Sequence, residues 1–290
     1  TALGVQAGIG NFGVSLTQFV TPWIIVAPLA GGLLGGPQTA EKAGVTTNLW
    51  LQNAAFWYVP LLAVLGIIAW IELRSVPVRA SFREQLDIFG NKHTYYCTLT
   101  YLMTFGSFSG LAAAFPLLIR TVYGGFENAP DPLTYAFLGP LIGSAMRVAA
   151  GPLTDRHGGA PYTQLCGLGI IAGCAALLLG GLLTPTSLDQ FPWFVGVMLT
   201  LFFFTGIGNA ATFRQFPVIF AHSPRQAAGV IGFTAGVAAY GPFLFSTLMG
   251  WARSATGSFA SFFAGLLAFT VAATAVNWWF YARKNAATPC

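Results

Sequence analysis

Arg147 stands where lipid should surround it. In "FLGPLIGSAMRVAAGPLTDRHGG", residues 137–159, it falls two turns before Asp155 and Arg156, in the middle of an otherwise small and apolar run. A guanidinium at that depth costs about 3 kcal/mol on insertion scales. Pro140, Gly143, Ser144, Gly151 and Thr154 share its helical face within about 60° on either side, so the face is small, polar and turned inward. No Asp or Glu lies in the interior of any long apolar run of the chain. An unpaired buried guanidinium calls for an anion as cargo, or for a carboxylate outside these runs, or for backbone carbonyls.

Three other stretches carry polar groups at helical spacing. In "YLMTFGSF", 101–108, Tyr101, Thr104, Phe105 and Phe108 share a face, with Thr98 beside it. In "FFFTGIGNAATFRQFP", 202–217, Thr205, Gly208, Asn209 and Thr212 form a small polar stripe, and Arg214 lies toward the water or headgroups. The opening stretch "GVQAGIGNFGVS", 4–15, holds four glycines, Gly4, Gly8, Gly10 and Gly13. Gly4, Gly8, Asn11, Ser15 and Gln18 fall within about 80° of one another on a helix. Small residues at this spacing let a neighbouring backbone approach closely in lipid. Tight packing explains the glycines; Asn11 and Gln18 point further, to the lining of a cavity.

The elements that must position these groups are membrane helices. Only 7% of the 290 residues are charged and 55% are hydrophobic, where a soluble domain carries roughly 25% charge. Eight runs are long enough to cross a bilayer: 2–29, 49–73, 95–119, 133–153, 162–183, 192–220, 227–250 and 258–282. The fold class is therefore an all-α, polytopic membrane protein. The net charge of +5 is a topology signal, because nine Lys and Arg fall on the side of the 74–92 loop and three on the other. By the positive-inside rule the 74–92 and 154–161 loops and the C-terminus are cytoplasmic. Basic residues spread over several loops do not make a nucleic-acid patch. The four cysteines show no paired spacing, and no helix interior carries a histidine. The reading accordingly calls for no metal, no cofactor and no enzymatic chemistry.

The opening stretch recurs. "GVQAGIGNFG" at 4–13 aligns without gaps with "GFTAGVAAYG" at 232–241, matching Gly4, Ala7, Gly8 and Gly13 to Gly232, Ala235, Gly236 and Gly241. The repeat joins the first helix to the seventh, a spacing of six, as in transporters built from two six-helix halves. By that count the chain begins at helix five of twelve. The expected organisation is then the last two helices of the N-terminal half at 1–74, a cytoplasmic linker at 75–92, a complete C-terminal half at 93–285 and a tail at 286–290.

With these residues in view, a family resemblance emerges. "GPLTDRHGG" at 151–159 resembles the loop motif G-x-x-x-D-R-x-G-G of the major facilitator superfamily. "AGIGNFGVS" at 7–15 is similar to the helix-five signature of the nitrate/nitrite porter family, and "GFTAGVAAYG" to its helix-eleven partner; "GIGNAATF" at 206–213 is also typical. The resemblance implies a twelve-helix bundle, eight helices of it in this chain, that binds nitrate or nitrite between its halves. It places Arg147 on the anion, with Tyr101, Phe105, Asn11 and Gly232 lining the site, and makes Gly8, Gly10, Gly13, Gly236 and Gly241 signature and packing glycines. Ala235, beside Thr234, stands where some members have serine. The family's second arginine, in helix two, falls outside this sequence. The implied activity is alternating-access transport of nitrate and/or nitrite in the inner (plasma) membrane, with exchange of the two expected. A carrier of another small anion, or proton-linked nitrate uptake, is the alternative. Lipid and helices one to four are the implied partners.

Overall fold

Long apolar runs without charge leave the backbone one way to satisfy its polar groups in lipid, the helix. A computed structural model describes residues 2–28, 35–42, 45–74, 81–286 and 288–290. Among the described residues, seven helical segments are long and apolar enough to cross a membrane. They are preceded by α1 (Ala2–Ile24), which is 23 residues long. The seven are α2 (Asn53–Glu72), α3 (Lys92–Tyr123), α4 (Pro132–His157), α5 (Ala160–Leu179), α6 (Leu188–Ile219), α7 (Pro224–Thr256) and α8 (Ala260–Ala282). The eight runs read from the sequence thus correspond to α1–α8. The first run closes early, however. It was expected to reach residue 29, yet α1 ends at Ile24, just past Pro22. A hairpin that hydropathy does not reveal follows, pairing Gln38–Lys42 antiparallel with Val45–Leu49.

The chain divides into two compact units, residues 16–81 and the remainder. In the smaller one, Asn53 at the start of α2 donates to the carbonyls of Ile24 (3.3 Å) and Ala27 (2.9 Å). The Ile24 carbonyl is one that the end of α1 leaves without an intrahelical partner, and Ala27 belongs to the turn just beyond it. Thr17 and Tyr58 join hydroxyl to hydroxyl. From Tyr58 to Glu72 no residue is buried, and Trp70 is 90% exposed, as befits a helix that is apolar all round. The 75–92 linker lies partly outside the described residues, at 75–80.

The larger unit is built around α6, which packs against α4 and α5, while α8 packs against α5. Glycines set these contacts. A Cβ on Gly206 would run into the backbone of Gly143, and one on Gly110 would enter the Phe245 ring. Phe115, Phe194, Phe202 and Tyr123 form a core with no exposed surface; Tyr123 donates its hydroxyl to the Leu182 carbonyl at 3.0 Å. Buried threonines are satisfied within their own helices, as Thr212 donates to Gly208 O and Thr270 to Leu266 O, which is how a hydroxyl avoids standing unpaired in an apolar medium. A polar knot joins α5, α6 and α8. Gln215 donates to Thr163 Oγ1 and Asn277 Oδ1, both at 3.1 Å, and Asn277 donates to Gln164 Oε1 at 2.9 Å. At the start of α7, Arg225 pairs with Asp87 and with the Glu84 carbonyl. Gln226 donates to the same carboxylate at 3.0 Å. The Gln226 hydrogen bond, and after it Arg225, holds the Asp87 carboxyl below its usual range.

Candidate functional site

The helix α4 carries Arg147 on the face that the sequence marks as small. Gly143, Ser144, Gly151 and Thr154 are buried with it, and Arg147 itself is only 1% exposed. Its guanidinium lies over two aromatic rings, 4.9 Å from the centroid of Phe213 and 5.8 Å from that of Phe105. Cation–π attraction of this kind contributes about 2 kcal/mol when both partners are desolvated. Neither Nε nor Nη2 of Arg147 has a hydrogen-bond partner among the described residues. Leaving such donors buried and unsatisfied costs about 1–3 kcal/mol each, and more for a charged group.

The aromatic rings are ordered among themselves. Tyr101 stacks on Phe105 at 5.3 Å with planes 6° apart, and on Phe213 at 4.8 Å with planes 20° apart. Phe216 meets Tyr101 edge-on at 6.0 Å. Tyr101 and Phe105 are four residues apart, but the segment Leu102–Gly106, which follows Tyr101 and carries Phe105, is a π-helical turn. Such turns insert a residue into the helix and recur at functional sites. Thr104, inside this turn, reaches Thr212 across the α3–α6 contact at 3.5 Å.

The first turns of α1 lie along α4. A Cβ on Gly4 would sit 3.5 Å from the Arg147 carbonyl, one on Gly8 would press the Val148 side chain and the Ser144 carbonyl, and Ser15 donates to the Phe137 carbonyl at 2.9 Å. These three points fix an antiparallel pair in which Asn11 comes level with the turn of α4 preceding Ser144. The Nδ2 of Asn11 is buried without a partner among the described residues. Arg147, Tyr101 and Phe105 are therefore brought together, with Gly8 packed against the turn that holds Arg147. Gly232 and Gly236 do not join them: both are exposed on α7, and a Cβ at either would meet nothing within 4 Å. Gly10 and Gly13 face open space in the same way, whereas Gly241 packs against the Gly106 carbonyl and Ser109.

Sequence reasoning passed over Phe213. It lies next to Arg214 and just past the small polar stripe, and only its i, i+4 spacing from Asn209 could have placed it on the inner side. Arg214, read as facing water or headgroups, is 37% exposed and holds Asp155 of the loop motif at 3.5 Å. A pocket of about 240 Å³ lined by Gly151, Thr154, Asp155, Phe213 and Arg214 opens between them.

The sequence matches no family model. It is 62% identical over 291 aligned residues to "Probable nitrate/nitrite antiporter NarK2" of Thermus thermophilus, covering 100% of this chain and 65% of that protein. It is 32% identical to "Nitrate/nitrite transporter NarU" of Escherichia coli, over 98% of this chain and 64% of the relative. The chain thus spans just under two thirds of the curated relatives it matches. Among solved structures, a crystal structure of the E. coli fucose:proton symporter FucP shares the fold, with a TM-score of 0.54 at 15% identity, over 94% of this chain and 68% of that one. Over its whole length, then, the chain is similar to two curated proteins named as nitrate/nitrite carriers, and it shares its fold with the fucose:proton symporter.

Proposed function

We propose that the chain forms the anion-holding part of a membrane carrier that moves nitrate and nitrite by alternating access, exchanging one for the other. The observation that carries this reading is the Arg147 guanidinium, sealed from solvent beneath Phe105 and Phe213 with Nε and Nη2 unpaired. Nitrate and nitrite are planar, singly charged and weakly hydrated. A guanidinium is planar, always charged and offers forked donors to two oxygens at once. Aromatic rings stacked beside it suit the flat faces of such an anion. Relatives named as nitrate/nitrite carriers support the choice of cargo.

In this reading the chain starts at helix five of a twelve-helix carrier, with its C-terminus in the cytoplasm. Asn11 joins Arg147 at the cargo, and Gly232 approaches it when the halves close. Exchange follows from the charge inventory. An uncompensated guanidinium is unfavourable to reorient across lipid, so each swing carries an anion with it. No Asp, Glu or His stands in a span interior to take up a proton in its place.

The test is nitrate binding to the full-length carrier and to its Arg147→Lys variant. Lysine keeps the charge but not the fork, so affinity should fall at least tenfold while the protein still inserts and purifies. Wild-type affinity in the lysine variant would overturn the assignment.

A further inference from the structure

The α4–α6 contact holds more unpaired polar atoms than Arg147 alone accounts for. The two helices run parallel, touching at Gly143 and Gly206 and again, farther along, where Asp155 meets Arg214 at 3.5 Å. Ile207, Ala210 and Ala150 are buried together between these points. Arg147 on one helix and Asn209 on the other therefore stand at the same level. Asn209 is 0% exposed, and both Nδ2 and Oδ1 lack a partner among the described residues. Ser144, one turn before Arg147, is equally buried with an unpartnered hydroxyl. Phe213, which covers the guanidinium at 4.9 Å, is one turn beyond Asn209.

A buried asparagine with neither end satisfied is rare and costly, and it calls for an explanation beyond packing. Its neighbours divide its options. Gly206 and Gly208, on either side of it in the same turns, are pressed against Gly143 and against Cys166 and Thr104. The packing here is close backbone contact, so the amide is not filling space that an apolar residue could not fill. We propose that Asn209 is a second anion-contacting residue of this site. Its Nδ2 donates to an oxygen of the nitrate or nitrite held by Arg147, with the Ser144 hydroxyl donating beside it. Its Oδ1, unpaired like Arg147 Nε at the same level, becomes an acceptor for that Nε when the anion draws the two side chains together. An oxyanion so placed gathers donors from α4 and α6 together and ties the two helices when it binds. The inference rests on the reading of Arg147 as the anion's main contact.

Two variants of the full-length carrier test it, with nitrate as the probe and thermal unfolding measured alongside. Asn209→Leu removes the unpaired amide while keeping its size, so the nitrate-free protein should melt no lower than wild type, and nitrate affinity should fall about tenfold. Asn209→Asp places a carboxylate level with Arg147; it should pair with the guanidinium, displace the anion and abolish nitrate binding at neutral pH in a protein that still melts cooperatively. Affinity within twofold of wild type in either variant, with Arg147→Lys still defective, would overturn the role of Asn209 and leave that of Arg147 standing. If Asn209→Leu melts far lower than wild type and Asn209→Asp binds nitrate normally, Asn209 is a packing residue and the proposal fails. Absence of nitrate binding to the wild-type carrier would instead remove both.

Discussion

At the scale of single residues, the chemistry turns on how the Arg147 charge is kept in the interior with no carboxylate paired to it among the described residues. Phe213 and Phe105 replace part of the lost hydration of Arg147 with ring faces. Desolvated cation–π contacts are strong because neither partner has water to return to. Phe213→Leu keeps an apolar cover but removes the quadrupole. The variant should lose about 1–2 kcal/mol of stability, read as a lower melting temperature without nitrate, and part of that loss should be recovered at saturating nitrate. An unchanged melting temperature would mean that the ring is packing only.

At the scale of elements, the site depends on glycine rather than on large apolar side chains. α4 carries Arg147 and Ser144, α6 carries Asn209 and Phe213, and Gly143 and Gly206 let the two backbones touch. Neither backbone can yield as a flexible side chain would. Gly206→Ala should therefore push the helices apart at the turn before Asn209, costing about 1–3 kcal/mol as overpacking does. It should also weaken nitrate binding, because Arg147 and Phe213 would separate. Unfolding and binding measured on the same preparation check both effects; a variant with altered stability and intact affinity would show that the site tolerates the displacement. The π-helical turn Leu102–Gly106 serves the same end on α3, since it sets the stretch that carries Phe105 and Thr104 relative to Tyr101.

At the scale of the whole molecule, function is expected to need more than these 290 residues. The chain spans 65% of the Thermus relative's length, and alternating access requires two halves about one site. Vesicles that contain the full-length carrier and are loaded with nitrite should take up external nitrate many-fold faster than empty vesicles, and a pH gradient across empty vesicles should drive little uptake. Strong gradient-driven uptake with no anion inside would rule out exchange in favour of proton coupling. Vesicles holding residues 1–290 alone should show no saturable uptake; saturable uptake there would show that this chain, by itself or in assembly, completes the site.

Much of this was legible in the sequence because lipid removes alternatives. A run such as 192–220 cannot cross a bilayer except as a helix, and so the places of α2 to α8 followed from apolar length. The standing of Arg147 as the anomalous charge followed from its depth alone. Its face, with Gly143, Ser144, Gly151 and Thr154, followed from the helical repeat, and those residues are buried as a set. What periodicity cannot carry is which helix faces which. The pairing of Arg147 with Phe213, the parallel register that brings Asn209 level with it, and the hairpin at Gln38–Leu49 all depend on contacts between distant segments. The two signature stretches show the difference. Gly8 and Gly232 read alike in sequence, yet Gly8 is pressed against α4 while Gly232 faces open space. A glycine declares that a neighbour could come close; only the packed structure decides whether one does.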